Sequence, residues 1–123
     1  PIHPYSAATS LLVMHFLPDD GTKLDYLKAI AARLQPGSPF VLVDSHGDKQ
    51  SEVFKRLVDG WQKRAQMVGM ESQRLSEVAD GVWQHIQCIS EERTLELLAQ
   101  AGFTKITRFY TGFIFAGWFA FAE

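Results

Sequence analysis

The sequence predicts an α/β fold, in which strands and helices alternate along the chain and pack as layers around one sheet. Three observations predict it. Apolar runs without regular alternation, near residues 7–13 and 40–44, are typical of strands buried in a parallel sheet. Apolar residues recur at helical spacing between these two runs. The segment FTKITRFYTGFIFAGWFAFA indicates two strands joined at Thr111–Gly112, as in an antiparallel hairpin.

The first half of the chain predicts a strand, a helix and a second strand. The strand at 7–13 is followed by Asp19 and Asp20, either of which is a suitable helix cap. The segment QPGSP ends the helix, and the second strand, FVLVD, stops at the carboxylate of Asp44. Such a crossover joins parallel strands and is right-handed in nearly all proteins. The helix has one apolar stripe, made by Leu24, Leu27, Ile30, Ala31 and Leu34.

The second half predicts a helical segment and then the hairpin. A helix begins after Ser51 and is broken by VGMESQ, and a short helical piece follows that ends at the turn signal Asp80–Gly81. Ser90 is a good N-cap for a further helix, which Gly102 ends.

Composition limits the class of protein. A chain of 123 residues forms one domain at most, and 46% hydrophobic residues supply a core for it. A net charge of −2 argues against general nucleic-acid binding. With one cysteine, Cys88, neither an internal disulfide nor a zinc site of several cysteines can form, and we expect a buried thiol. No secretory signal is recognised and no apolar run reaches membrane-spanning length, so we expect a cytoplasmic protein.

Three stretches resemble the C-terminal half of a class I S-adenosylmethionine-dependent methyltransferase. AATSLLVMHFLPDD is similar to the fourth strand and its loop. LKAIAARLQPGSPFVLVD is similar to the following helix, turn and fifth strand, with Ser38 in place of a second glycine. LLAQAGFTKITRFYTGFIFAGWFAF is similar to the last helix and terminal hairpin. The resemblance implies the strand order 4-5-7-6, with the last strand antiparallel, and a helical insert at about residues 51–89.

The resemblance also implies that residues 1–123 form a partial domain. The glycine-rich turn that packs against the cofactor in this family, G-x-G-x-G, does not occur in the sequence. We therefore expect the N-terminal, cofactor-binding half to be absent. The full-length protein would bind S-adenosylmethionine and methylate a small-molecule acceptor, whereas this fragment would be inactive alone.

Candidate site residues follow from the expected strand ends, where open α/β sheets bind ligands. The resemblance places the backbone of Ser10, Leu11 and Leu12 near the methionine part of the cofactor, with ordinary strand packing as the alternative. It places His15 where a side chain faces the methyl group as base or orienter. Alternatively, His15 caps a helix or hydrogen-bonds a loop.

Polar residues after the second strand allow a further site. Asp44, His46 and Asp48 alternate, so in an extended segment the three would share one face, and an imidazole with two carboxylates is a set of groups that can bind a divalent metal. Gly47 breaks that segment, so we expect no metal. Asp44 and His46 either face a substrate or are ordinary polar residues of a loop. His85 is predicted to be a hydrogen-bonded core histidine.

The insert lies where the family builds its substrate lid. Trp61, Met67, Met70 and Trp83 either line a pocket for an apolar or aromatic acceptor or pack in the core. A loose similarity to the enzyme that makes carboxy-S-adenosylmethionine for tRNA modification makes Arg74 a candidate for holding a carboxylate.

An exposed strand edge predicts self-association. If strand 7–13 lacks its usual neighbour, its edge is a template for pairing with another chain. We expect a homodimer or a domain-swapped assembly, formed through this edge or through the helical insert. The alternative function is a non-catalytic interaction module that uses the same edge. We expect no membrane among its partners.

Overall fold

The computed structural model describes residues 3–123. Four strands, four α-helices and one short 3₁₀ helix alternate along the chain. In order they are β1 (Ala8–Leu11), the 3₁₀ helix (Met14–Phe16), α1 (Thr22–Arg33), β2 (Pro39–Ser45), α2 (Glu52–Met67), α3 (Ser72–His85), α4 (Glu91–Gln100), β3 (Phe103–Gly112) and β4 (Phe115–Ala122).

The four strands form one mixed sheet in the order β1-β2-β4-β3. β1 runs parallel to β2, with Ala8 opposite Phe40, and β4 is antiparallel to both β2 and β3. Trp118 of β4 lies opposite Leu42 of β2. The predicted α/β class and the predicted strand order 4-5-7-6, with the last strand antiparallel, are confirmed.

The main core lies between the sheet and the helices α1 and α4. Its side chains are almost completely withdrawn from solvent, and each such large apolar side chain stabilises the fold by roughly 1.5–3 kcal/mol. The largest members are Met14, Leu27, Phe40, Leu42, Leu97, Leu98 and Trp118.

A second, smaller core lies under the helices α2 and α3. It consists of Phe54, Val58, Val82, Ile86 and, from the hairpin, Ile114. The predicted insert at about 51–89 contains both helices.

Serine side chains cap two of the helices, and of these caps Ser90 was predicted. The side chains of Ser51 and Ser90 accept hydrogen bonds from the N–H groups of the third residue beyond each, Phe54 and Arg93. The N-cap of α1 is Gly21, one residue beyond the predicted Asp19 or Asp20, although Asp20 accepts the N–H of Thr22.

The first strand is shorter than predicted and more exposed. β1 ends at Leu11 instead of residue 13, because Leu12 adopts a left-handed backbone conformation with φ +60° that turns the chain away from the sheet. β1 is also an edge strand, so Leu11 is 56% exposed and the prediction of burial on both faces is wrong here.

Two predicted turns lie elsewhere. Asp80–Gly81 falls inside α3, since Leu75, Ala79 and Val82 give that helix a buried face extending past the glycine. The hairpin turns at Phe113–Ile114, two residues beyond Thr111–Gly112, because Gly112 still pairs with Phe115.

Within residues 3–123, the helices are all too short or too polar to cross a membrane.

Candidate functional site

A cavity of about 330 Å³ lies at the end of the sheet where β1 and β2 stop. Leu12, His15 and Phe16, which follow β1, form one wall of it. Phe115 lines it as well, and this residue pairs with Ser45, the last residue of β2. The cavity therefore lies at the carboxyl ends of the two parallel strands, where open α/β sheets bind ligands.

The other wall comes from the two helices of the insert. Trp61 of α2 and Gly81, Val82 and His85 of α3 line the cavity. The ring of Trp61 meets Phe115 edge-on, with ring centroids 5.7 Å apart. These contacts place aromatic edges and faces around an almost wholly apolar space.

His15 is buried and carries no charge at neutral pH. Its Nδ1 accepts the backbone N–H of Ser45 at 3.1 Å and lies 2.8 Å from the Ser45 hydroxyl, which leaves the ring proton on Nε2. Burial lowers the pKa of His15 to about 4, and the positive charge of Lys23 acts in the same direction. His15 is therefore a weak base in this environment.

Asp44 lies against His15 without forming an ion pair. Its Oδ1 is 3.5 Å from Nδ1 of His15 and is a buried oxygen without a hydrogen-bond partner among the described residues. Burial raises the pKa of Asp44 to about 7, although the backbone N–H of His15 and the charge of Lys23 oppose the rise. Ser45 and Asp44 approach the same ring nitrogen, so the three residues do not form a catalytic triad, which uses both nitrogens.

Lys23 completes this polar cluster, and sequence reasoning missed it. Its side chain is 1% exposed, and Nζ donates a hydrogen bond to the carbonyl of Met14 at 3.0 Å. Burial lowers the pKa of Lys23, and Asp44 is the main group that opposes this shift. The signal was present, because Lys23 lies four residues before Leu27 and seven before Ile30, on the apolar stripe of α1.

Cys88 borders the same cluster. Its Sγ lies 3.5 Å from the Ser45 hydroxyl, and burial raises the pKa of the thiol. A thiol with a raised pKa is a poor nucleophile. The residue packs against the second core but is only partly buried, whereas a buried thiol was predicted.

The predicted cofactor residues lie at the edge strand. The hydroxyl of Ser10 is 2.7 Å from the hydroxyl of Tyr26 and is buried, so its side chain faces the core. Leu11 and Leu12 are about half exposed at the end of β1. The N–H of Leu12 donates to the carbonyl of Val43 at 2.8 Å, which fixes this end of the strand.

The remaining predicted substrate residues lie outside the cavity wall. A ring nitrogen of His46 is 3.0 Å from the carbonyl of Ile114, and its ring packs edge-on against Trp118. Arg74 is exposed in the first turn of α3. Asp44 does not line the cavity, and its Oδ1 lies 3.5 Å from Nδ1 of His15, which does.

The predicted aromatic pocket forms only in part. Trp61 lines the cavity, whereas Trp83 packs against Phe54 and Met67 is largely exposed. His85 was predicted to be a core histidine, and this is wrong. It is an exposed residue at the cavity, because it lies in the last turn of α3 with its neighbours Val82 and Ile86 buried instead.

Within residues 3–123, no three acidic, histidine or cysteine side chains come close enough together to hold a metal ion.

No protein-family model and no curated protein sequence matches the chain. Several solved structures share its fold. A possible exported protein from Bordetella parapertussis matches 98% of this chain over 40% of its own length, with a TM-score of 0.64 and 16% identity. Human N-acetylserotonin methyltransferase, solved with SAM, matches 98% of this chain over 31% of its own, with a TM-score of 0.60 and 19% identity.

A third structure is the 1,6-didemethyltoxoflavin-N1-methyltransferase of Burkholderia thailandensis, solved with 1,6-didemethyltoxoflavin and S-adenosylhomocysteine. It matches all of this chain over 46% of its own length, with a TM-score of 0.59 and 17% identity. The chain thus has a methyltransferase fold, as its motifs predicted, and identities this low establish the fold alone. It spans less than half the length of these three structures.

Proposed function

From this methyltransferase fold, we propose that the chain is part of an S-adenosylmethionine-dependent methyltransferase whose cavity holds a small-molecule acceptor. One observation carries the proposal. The apolar cavity lies at the carboxyl ends of β1 and β2, the edge of an α/β sheet at which ligands bind.

The end of β1 fits one wall of a cofactor site. Leu11 and Leu12 present apolar surface there, while Ser10 offers only its backbone because its hydroxyl is engaged with Tyr26. S-adenosylmethionine supplies an electrophilic methyl group to such a site. Since the sequence has no G-x-G-x-G turn, we propose that this chain does not bind the cofactor alone and that further chain completes the wall.

His15 is proposed to orient the acceptor instead of taking its proton. A histidine whose pKa is lowered to about 4, and whose Nδ1 already accepts a hydrogen bond, is a poor base at neutral pH. Holding the acceptor in line and excluding water account for much of the catalysis in a transfer of this kind.

The test uses the longest protein that the native gene encodes. We expect it to contain a glycine-rich turn upstream, to bind S-adenosylmethionine in a calorimetric titration, and to transfer a labelled methyl group to small aromatic acceptors. Phe16→Ala should raise KM for the acceptor with little effect on cofactor affinity, since Phe16 lines the cavity. Phe109→Ala, a similarly exposed phenylalanine on β3, is the control. A full-length product without cofactor binding would contradict the proposal.

A second candidate function is an interaction module that uses the edge of β1. Among residues 3–123, β1 has a neighbour on one side only, and Leu11, Val13 and Phe16 are about half exposed beside it. The opposite edge, β3, is interrupted by two register shifts, and such bulges hinder edge-to-edge pairing. The contrast favours β1 as the edge through which two copies would associate as a homodimer or a domain-swapped pair.

Light scattering at high protein concentration tests this association. We expect a dimer, and we expect Leu11→Lys to shift the chain towards a monomer because a charge at the edge must be desolvated on pairing. Thr107→Lys adds the same charge to the bulged edge and should leave the dimer intact. A monomer for the unmodified chain at every concentration would exclude the edge as an interface.

A further inference from the structure

Two glycines lie inside the helices that face the cavity, and only one of them is explained by packing. A Cβ on Gly60 of α2 would lie 3.3 Å from Cε1 of Phe113, so a side chain there would press on the hairpin. A Cβ on Gly81 of α3 would meet no atom within 4 Å. Glycine inside a helix is less stable than alanine. The fold itself therefore gives no reason for a glycine at position 81.

Gly81 lines the cavity, and the rest of the wall indicates what the space would accept. In the described part of the chain, no lysine, arginine, aspartate or glutamate contributes to the wall. A charged ligand would lose its hydration there without gaining a partner, which is costly. The rings of Phe16, Trp61 and Phe115 instead offer edges and faces that suit another aromatic ring.

The volume sets the size of the ligand. About 330 Å³ lies at the small end of the range of roughly 300–1,000 Å³ found for ligand pockets. We propose that the cavity binds an uncharged, bicyclic aromatic molecule, with its ring over Gly81 and between the three aromatic side chains. This ligand proposal names the substrate class of the proposed methyltransferase. Only the statement that the molecule is the methyl acceptor rests on the proposed function.

His85 is proposed to hydrogen-bond the polar substituent of this molecule. It is the exposed polar side chain of the wall, whereas Nδ1 of His15 is already engaged with Ser45. A hydroxyl or amine attached to the ring would thus point towards His85.

Calorimetric titration of the chain with two probes tests the charge and shape of the site. Naphthol carries the neutral bicyclic ring with a hydroxyl, and naphthoate carries the same ring with a carboxylate. We expect naphthol to bind at least about tenfold more tightly than naphthoate, because the wall has no cation to pair with the carboxylate. Equal affinities, or no binding of naphthol, would overturn the proposal.

Substitutions at Gly81 test the location. Gly81→Leu should fill the cavity and abolish naphthol binding without lowering the thermal unfolding midpoint. Gln84→Leu, exposed on the same helix and outside the cavity wall, should leave binding unchanged. If Gly81→Leu does not fold, Gly81→Ala should still reduce the affinity several-fold. Unchanged binding in a folded Gly81 variant would place the ligand elsewhere and refute the site.

The outcomes separate this inference from the proposed function. Naphthol binding at this site, together with an absence of methyl transfer by the full-length protein, would refute the methyltransferase proposal and leave the ligand site standing. Methyl transfer to a charged acceptor, with no naphthol binding, would refute the ligand site and leave the methyltransferase proposal standing.

Discussion

The sheet with α1 and α4 differs from the α2–α3 pair in the size of the core that it encloses. The first region encloses large side chains such as Leu27, Leu97 and Trp118 with almost no exposure. The second buries a smaller set, leaves Met67 and Val68 largely exposed, and borders the cavity. The difference indicates that the sheet region supplies most of the stability, while the helical pair adds one wall of the ligand site.

The largest expected effect compares one substitution in both regions. Phe40 and Phe54 are equally buried, the first in the sheet core and the second under α2 and α3. Phe40→Ala should lower the free energy of unfolding by about 3–5 kcal/mol, as expected for a dense core. Phe54→Ala should cost less, because two helices in a small core can move to fill the space.

Chemical denaturation of both variants measures these free energies, and hydrogen exchange locates the damage. In Phe54→Ala, exchange should accelerate in α2 and α3 while β2 and β4 stay protected. Equal losses of stability, with uniform exchange, would show that the two regions unfold as one unit and that the sheet region does not supply most of the stability.

An intermediate effect is expected where the two regions meet, at Asp44. The pKa of this carboxyl is raised to about 7 from 3.8, so between these values the folded chain holds a proton that the unfolded chain has released. Its contribution therefore makes stability fall as pH rises from about 4 to about 7. The lowered pKa of His15, about 4 against 6.5, acts in the opposite direction over most of this range.

Asp44→Asn removes the contribution of the Asp44 carboxyl, which makes the unmodified chain less stable as pH rises. The free energy of unfolding of the variant, minus that of the unmodified chain, should therefore increase by roughly 2–4 kcal/mol between pH 4 and pH 8. Denaturation at a series of pH values measures it, with Asp80→Asn, an exposed carboxylate on α3, as the matched control. A difference that does not change with pH would mean that Asp44 is ionised throughout.

The smallest effect concerns the two helical glycines. Gly81→Ala should stabilise the chain by up to about 1 kcal/mol, since the new methyl group meets no atom and alanine favours the helix. Gly60→Ala should gain little or lose stability, because its methyl group would press on Phe113. Thermal unfolding of both variants provides the comparison, and a destabilising Gly81→Ala would argue that α3 is not a regular helix at that point.

Local signals predicted most of the fold. The Ser90 cap, the glycine after α4 and the apolar stripe of α1 each depend on residues a few positions apart, and the structure confirms them. The turn predicted at Asp80–Gly81 failed for a physical reason. Local propensity marks this pair as a breaker, but the buried face of α3 outweighs it.

The site was less predictable, because it is assembled from segments distant in the chain. His15 and Ser45 meet only when β1 pairs with β2, and His85 reaches the cavity only when α3 packs beside the 3₁₀ helix. The burial of Lys23 was also hard to predict from neighbouring residues in the sequence. Its spacing placed it on the buried stripe, but the carbonyl of Met14 that makes such burial tolerable is supplied by tertiary structure.

Leu12 combines a strained backbone conformation with a side chain that contacts the cavity. Its backbone has a φ of +60°, a conformation that glycine adopts more readily, while its side chain forms part of the cavity wall. Glycine at this position would relieve the backbone strain but remove a side chain from the cavity wall. The substitution would therefore favour local stability and weaken contact with a ligand. Position 12 is thus a natural place to trade affinity for stability in an engineered version of this domain.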